Sequence, residues 1–353
     1  MNYRMKSKLK IALICCLVLS IVLTGCGTPA APATPAAPTA PATPTGEVDH
    51  TQGPTINVTL GHVFAVTHPM EYISQGIRRD MLERTGGRIT VEVFPAGQMG
   101  GGREMMTALM NGTIDIATTA TWGTIDNRIL MAELPYMFAD WDHINRFRHS
   151  DIGNELLDNL SVHGVYGFDW MVSGGFRNIG NTVREVHTPA DLDGLLIRAF
   201  ENEILLDILD ALGADATVLP FPEVYAALQT GTIQGEDNAF LNTYHQRFFE
   251  VQQYKTETRH MINFEIKAIS HNFWNSLSPE DQALFTEVMS YWCERYSQML
   301  QDDEAAYMQR LIDEGMTITL IPDYTPWIEA VQPVYEKWAE EFGWDAINTI
   351  RGL

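Results

Sequence analysis

From about residue 54 onward, short stretches that alternate apolar and polar residues are separated by stretches with helical spacing. Residues 55–60 and 88–94 alternate in the way that is typical of half-buried strands. Between them, residues 69–85 carry apolar side chains at helical intervals. Gly86 and Gly87 follow, and glycine commonly ends helices. This order of strand, helix and strand predicts an α/β fold.

One pattern occurs twice in the chain. Residues 108–114 and 227–233 share the sequence A-L-x-x-G-T-I, and each copy follows a predicted short helix. Gly112 and Gly231 would end those helices, and a short strand would follow each glycine. The match has two readings: a common helix–glycine–strand turn that arose twice, or an internal repeat. A repeat predicts two similar α/β lobes that face each other across a cleft, because open α/β sheets bind ligands beyond their strand ends.

A long helical pattern follows these strands. It runs from Pro279 to about Asp313, with Ser278 as a candidate N-cap and Gly315 after its end. It is either one bent helix across both lobes or two helices that break near residues 301–304. Residues 327–343 predict one more helix, which packs its aromatic side chains.

The first 54 residues do not resemble a folded domain. Residues 1–10 are basic, and the apolar run at 11–23 is shorter than the roughly 20 residues that span a bilayer. The run ends in L-T-G-C, which resembles a bacterial lipobox, so residues 1–25 are predicted to be a lipoprotein signal peptide and Cys26 the lipidated residue. A chance cysteine near an ordinary cleavage site is the alternative. Residues 26–54, rich in Ala, Pro and Thr, predict a tether.

Charge and cysteine content exclude several classes of function. The net charge of −22 argues against nucleic-acid binding, since phosphate contacts need a basic surface. Any anionic ligand must therefore be held by a few local cations. Cys293 is the one cysteine of the globular part, so no disulfide framework is expected there, and it reads as a small buried residue.

Catalytic and cofactor motifs are missing from the sequence. It contains no G-x-S-x-G, H-E-x-x-H or Walker motif. The histidines have no metal-ligand spacing, and the glycine-rich residues 97–102 lack a phosphate-binding lysine. We therefore expect no enzyme activity, no metal and no cofactor.

Two arginines are candidate ligands for an anion. Arg198 ends a short apolar strand, where it would emerge at a sheet edge, and its planar fork matches a carboxylate. Asp191 and Asp193 are alternative partners for it. Arg177 also lies where a strand passes into a loop, although this position taken alone favours a surface residue.

Other candidates come from polar and aromatic residues near the same strands. Asn238 carries both a donor and an acceptor, which suits the orientation of a ligand, but asparagine is also a common turn residue. Phe221 opens the helix of the second copy of the repeat. Phe221, Trp122 and Trp170 are each candidates for an apolar pocket wall or for ordinary core packing.

Several motifs resemble the DctP-type solute-binding proteins of TRAP (tripartite ATP-independent periplasmic) transporters. The resemblance covers about residues 55–345. F-P-A-G-Q-M-G at 94–100 and L-P-Y-M-F at 134–138 are similar to family motifs. The most specific block is residues 191–238, with D-L-x-G-x-x-I-R followed by E-V-Y-x-A-L-Q-T-G-x-I-x-G-x-x-N.

The resemblance implies a role for each candidate. Arg198 would form the salt bridge to a substrate carboxylate, with Arg177 as a second arginine, Asn238 as a hydrogen-bond partner and Phe221 as a pocket wall. The family's usual Gln-Glu-Asn-Pro is replaced by residues 236–239, E-D-N-A, so the local charge differs. Glu201 follows Arg198 where small polar residues are common. If it faces the cleft, it favours a ligand with a hydroxyl or amine; otherwise it is a surface residue.

The resemblance also implies a two-lobed, periplasmic-binding-protein-like (flytrap) fold with a long helix spanning both lobes. We expect lobe I to comprise residues 55–175 and about 266–300, and lobe II residues 176–265 and about 301–353. The implied protein is a monomeric, extracytoplasmic, lipid-anchored receptor. It would capture a small organic carboxylate and deliver it to integral membrane TRAP subunits for ion-gradient-driven import. The alternatives are a binding protein of an ATP-driven importer, a secreted enzyme acting on a carboxylate, or an adhesive protein.

Overall fold

The computed structural model describes residues 49–353. The predicted signal peptide, the lipidation site at Cys26 and nearly all of the predicted tether lie outside these residues. Within residues 49–353, no helix combines the length and apolar character that a membrane crossing requires.

A five-stranded sheet forms the first lobe. The first three strands in its spatial order are parallel to one another, and the fourth runs antiparallel to both of its neighbours. In chain order the strands are β1 (Ile56–His62), β2 (Ile89–Phe94), β3 (Ile116–Thr119), β4 (Val165–Phe176) and β10 (Ile262–Ser270), in the spatial order β2-β1-β3-β10-β4.

A six-stranded sheet forms the second lobe. Its strands are β5 (Asn178–Asn181), β6 (Leu196–Ala199), β7 (Asp215–Val218), β8 (Gly235–Asn238), β9 (Tyr254–Thr256) and β11 (Thr317–Thr319), in the spatial order β11-β9-β5-β8-β6-β7.

Helices lie between and around these strands. The described part of the chain contains α1 (Pro69–Arg84), α2 (Gly102–Met110), α3 (Trp141–Arg148), α4 (Asp151–Asn159), α5 (Glu203–Ala211), α6 (Val224–Thr230), α7 (Phe240–His245), α8 (His271–Trp274), α9 (Pro279–Asp313), α10 (Thr325–Ala330), α11 (Gln332–Phe342) and α12 (Trp344–Arg351).

The two copies of the repeated pattern occupy equivalent places. Gly112 after α2 and Gly231 after α6 both have φ of 72°, a left-handed conformation that favours glycine. The strands that follow, β3 and β8, each lie between a parallel neighbour and an antiparallel one. The equivalent topology supports an internal repeat over a turn that arose twice by chance.

The chain crosses between the sheets at two places. Strand β4 ends at Phe176 and β5 begins at Asn178, while the return crossing lies between β9 and β10. The return comes earlier than the sequence analysis expected. Residues 262–265, assigned there to lobe II, belong to β10, which pairs with β4 along the first sheet.

Helix α9 is continuous over its 35 residues, which resolves the choice between one helix and two. It packs on α1 and β4 of the first lobe and on α7 and β11 of the second. The helix predicted at 327–343 is instead two helices separated at Val331. Pro333 explains the break, because its ring would clash with the carbonyl of the preceding turn.

Candidate functional site

A cavity of about 290 Å³ lies between the two sheets, near the lower end of the range for small-molecule pockets. The first lobe contributes the end of β1, the start of α2, the end of β3 and parts of β4 and β10. The second lobe contributes the ends of β6, β7 and β8. The lining includes Val63, Phe64, Arg103, Thr119, Thr121, Ser173, Arg177, Arg198, Phe200, Glu201, Phe221, Asn238, Asn242, Asn263 and Glu265.

Arg198 is the third residue of β6 and is only 2% exposed. Its Nε donates to the carbonyl oxygen of Leu219 at 2.8 Å, and its guanidinium lies 5.6 Å from the ring centroid of Phe221. Its Nη1 and Nη2 groups have no hydrogen-bond partner among the described residues. The alternative partners, Asp191 and Asp193, do not contact it; their carbonyl oxygens accept hydrogen bonds from Arg184 instead.

The electrostatics of Arg198 are those of an uncompensated cation. Burial, and after it the nearby positive charge of Arg177, lower the pKa of its guanidinium to about 10. The group still carries its charge at neutral pH. A buried cation without a protein counterion is the arrangement that an incoming carboxylate can neutralise.

Arg177 lies between β4 and β5 and is also 2% exposed, but its charge is paired. Its Nε and Nη2 atoms form a bidentate ion pair with Asp237 on β8, with Nη2 and Oδ1 2.8 Å apart. Burial alone would raise the pKa of Asp237, yet Arg177 holds it well below its usual value. Only Nη1 is left for other partners, and it lies 3.5 Å from Asn263 Oδ1.

Glu236 and Asp237, which depart from the family motif, are both buried in β8 rather than placed in a turn. Glu236 Oε1 accepts hydrogen bonds from Lys255 Nζ at 3.0 Å and Gln252 Nε2 at 2.7 Å. The altered charge therefore lies in an internal network behind the cavity wall.

Asn238 is the last residue of β8 and lines the cavity. Its Nδ2 donates to Glu236 Oε2 at 2.7 Å, and its Oδ1 accepts from Asn242 Nδ2 at 3.0 Å. These two contacts fix the orientation of the amide at the cavity surface.

Phe221 forms part of the apolar wall between the lobes. Its ring makes an edge contact with Phe64 of the first lobe at 5.7 Å and with Phe248 at 6.0 Å. Phe200 lies under the other arginine, 5.0 Å from the Arg177 guanidinium carbon. The cavity thus combines aromatic surfaces with a small number of polar groups.

Glu201 and Trp170 have surroundings that the sequence did not indicate. Glu201 faces the rim of the cavity but forms an ion pair with Arg103 at the start of α2, on the opposite lobe. Trp170 lies in the core and not on the cavity. Its indole is fully buried against Phe147 and Phe264, so the pocket-wall interpretation of Trp170 is corrected.

Several lining residues were missed by the sequence analysis. Strand β10 has the sequence I-N-F-E-I-K-A-I-S, in which polar residues alternate with apolar ones. That period of two places Asn263 and Glu265 on one face, and both line the cavity. The alternation was the available indication. Ser173 and Asn242 carried no comparable pattern.

No group of three or more metal-ligating side chains is assembled within residues 49–353. Buried Cys293 has its thiol pKa raised by burial, which makes it an unreactive core residue.

Comparisons with known proteins find relatives that match most of this chain. Residues 60–341 match the profile of the DctP family, described as bacterial extracellular solute-binding protein, family 7. The C4-dicarboxylate-binding periplasmic protein DctP of Vibrio cholerae is 27% identical over 285 residues, 80% of this chain and 85% of that protein. The sialic acid-binding periplasmic protein SiaP of Vibrio cholerae is 29% identical over 289 residues, 80% of this chain and 89% of that protein.

Solved structures show the same fold. The TRAP periplasmic solute-binding protein of Polaromonas bound to D-erythronate is 27% identical and has a TM-score of 0.81. The match covers 84% of this chain and 99% of that one.

Proposed function

This chain belongs to the DctP family of TRAP solute-binding proteins, and from that premise we propose that it captures a small organic carboxylate between its lobes and delivers it to membrane subunits of a TRAP transporter. The relatives described above include proteins named for binding a C4-dicarboxylate and a sialic acid, and one whose structure was solved with D-erythronate bound. Each of these ligands carries a carboxylate, so a shared anion site is a consistent expectation.

The observation that carries the proposal is the free guanidinium of Arg198. It is buried, faces the cavity and has two Nη groups without a protein partner in the described chain. A carboxylate would accept two parallel charge-assisted hydrogen bonds from such a fork. Asn238 lines the same cavity with a fixed amide, Phe221 supplies the apolar wall, and Arg177 contributes its remaining Nη1.

Closure of the lobes would bury the bound ligand. Contacts already join the two lobes in this structure, including His68 Nε2 with Asn242 Oδ1 at 3.0 Å and Arg103 with Glu201. Strand crossings and α9 connect the lobes, which suits a hinge motion about the cleft. A ligand that contacts both walls favours the closed form, and the closed form is the one we propose to dock on the membrane subunits.

The test is calorimetry on the wild type and on Arg198→Ala. Thermal-shift screening against small organic acids first identifies a ligand, because a tight ligand raises the melting temperature by mass action. Removing Arg198 should then weaken binding by about 3–5 kcal/mol, since the ligand charge loses its partner. Arg79→Ala removes an arginine that is 52% exposed on α1 and should bind as the wild type does. Equal affinity in Arg198→Ala would refute the proposed site.

We also propose that the protein works as a monomer on the outer side of the membrane, anchored through Cys26. Labelled palmitate should be incorporated in a bacterial host and lost in Cys26→Ser. Uptake in vesicles that contain the membrane subunits should require an ion gradient and no ATP. Uptake that depends on ATP would instead favour an ATP-driven importer.

A further inference from the structure

Glu265 has an unusual position among the buried acids around the cavity. It lies on β10, is 4% exposed and lines the same cavity as Arg198, from the opposite lobe. Its Oε2 has no hydrogen-bond partner within residues 49–353, and Oε1 has only a long contact of 3.5 Å with Ser173 Oγ.

The neighbouring buried acids differ from Glu265 because protein groups satisfy them. Asp237 pairs with Arg177, and Glu236 accepts hydrogen bonds from Lys255, Gln252 and Asn238. The Oε1 atom of Glu133 accepts from the Asn263 side chain at 2.7 Å and from the Phe264 amide at 2.8 Å. Buried polar atoms are almost always hydrogen-bonded, so an exception that borders a ligand cavity points to the ligand as the missing partner.

We propose that Glu265 is a specificity-determining residue that hydrogen-bonds a hydroxyl group of the ligand, so that the cavity selects hydroxylated monocarboxylates over dicarboxylates. The inference rests on the proposed function, because it assumes that Arg198 holds the ligand carboxylate. Arg198 and Glu265 lie on opposite walls, so one ligand would contact Arg198 through its carboxylate and Glu265 through its other end.

The charges around Glu265 favour a neutral partner. Its pKa is raised to about 8, mainly by burial and also by the charge of Glu133. Arg177, the contact with Ser173 and Lys267 act in the opposite direction, and Tyr296 is also close enough to interact with it electrostatically. At neutral pH the carboxyl is therefore largely protonated, and it can both donate and accept a hydrogen bond. A ligand hydroxyl likewise offers one donor and one acceptor, which match those of the protonated carboxyl.

A second ligand carboxylate fits this wall poorly. In the described residues, Arg198 is the cavity arginine that lacks an acid partner, since Arg177 is paired with Asp237 and Arg103 with Glu201. The single unpaired cation of the described cavity wall, Arg198, can therefore neutralise one carboxylate of the ligand. A dicarboxylate would bring its second charge to a buried acid. The nearby cation Lys267 does not line the cavity and donates to Thr118 Oγ1, so it is not placed to pair with that charge.

The experiment compares three ligands of equal carbon number by calorimetry at pH 7. The four-carbon set is erythronate, butanoate and succinate, and the six-carbon set is gluconate, hexanoate and adipate. The wild type should bind the hydroxy acid of at least one set at least about tenfold more tightly than the other two members. A wild type that prefers succinate or adipate would overturn the inference, and so would equal binding of hydroxylated and plain monocarboxylates.

Variants of Glu265 then test the residue itself. Glu265→Leu should lose about tenfold or more in affinity for the hydroxy acid, while its affinity for the plain monocarboxylate changes little. Glu265→Gln keeps a donor and an acceptor and should retain the preference. A thermal unfolding curve shows whether Glu265→Leu folds. If it does not, the order of ligand affinities in the wild type and in Glu265→Gln still tests the inference.

The outcomes separate the two proposals. Suppose that Arg198→Ala abolishes carboxylate binding, whereas substitutions of Glu265 leave the affinities unchanged. That result refutes this inference and leaves the proposed function unaffected. No binding of any member of either set refutes this inference, whereas carboxylate binding that survives Arg198→Ala contradicts the proposed function. Tighter binding of an amino acid than of the hydroxy acid with the same carbon number would refute the choice of a hydroxyl.

Discussion

The inner part of the second lobe contains two regions with the same burial and opposite electrostatics. Around β5, β8 and β9, each buried cation contacts a buried acid, Arg177 with Asp237 and Lys255 with Glu236. On β6, Arg198 is equally buried and has only a backbone oxygen and an aromatic ring beside it. Burial of a charge therefore does not by itself identify a binding group. The presence or absence of a protein counterion separates a structural arginine from one that is available to a ligand.

Breaking the paired region should produce the largest effect on folding. Asp237→Ala would leave Arg177 buried without a counterion and His260 without its carboxylate contact. We expect the free energy of unfolding to fall by about 3–5 kcal/mol, the usual result of removing one partner of a buried pair. Urea denaturation followed by circular dichroism measures it.

A matched control comes from the surface. Glu287 is 66% exposed and pairs with Arg84, so Glu287→Ala should change the free energy of unfolding by less than about 1 kcal/mol. If Asp237→Ala were equally mild, the pair with Arg177 would not stabilise the lobe, and Arg177 would become available as a second ligand-binding cation.

The unpaired region should respond in the opposite way. Arg198→Ala removes a buried charge that has no acid partner, so the apo protein should keep its free energy of unfolding within about 1 kcal/mol of the wild type. The same variant is expected to lose most of its ligand affinity. Urea denaturation without added ligand measures the difference, and a loss as large as that of Asp237→Ala would mean that Arg198 is structural.

The sequence indicated the fold and five of the residues that line the cavity, and its limits have physical reasons. The strand at 55–60, the helix at 69–85 and the two glycine turns were predictable, because period and glycine conformation are local properties. Which arginine is free was not predictable. Asp237 lies 60 residues from Arg177 in the chain, within a G-E-D-N segment that reads as a turn but forms a strand.

Other differences arise from the same dependence on distant neighbours. The indole of Trp170 has the size and character of a pocket wall, but its place in the core is set by Phe147 and Phe264. Glu201 was identified as a candidate facing the cleft. Its partner Arg103 comes from the other lobe, and no local pattern links the two residues.

The prediction with the smallest expected effect concerns the Arg103–Glu201 pair, and it tests whether Glu201 contacts the ligand. It joins the start of α2 to the segment after β6 across the rim, and its side chains are 53% and 37% exposed. An exposed pair contributes about 0.2–1 kcal/mol, so Arg103→Ala should weaken ligand binding by about twofold to fivefold, and less at high salt. Calorimetry at two salt concentrations measures this. If the pair acts only by holding the lobes together, Glu201→Ala should match Arg103→Ala, and the double variant should be no worse than either. A much larger loss in Glu201→Ala would show that this carboxylate contacts the ligand directly, as the sequence first suggested, and that its ion pair with Arg103 opens when a ligand enters.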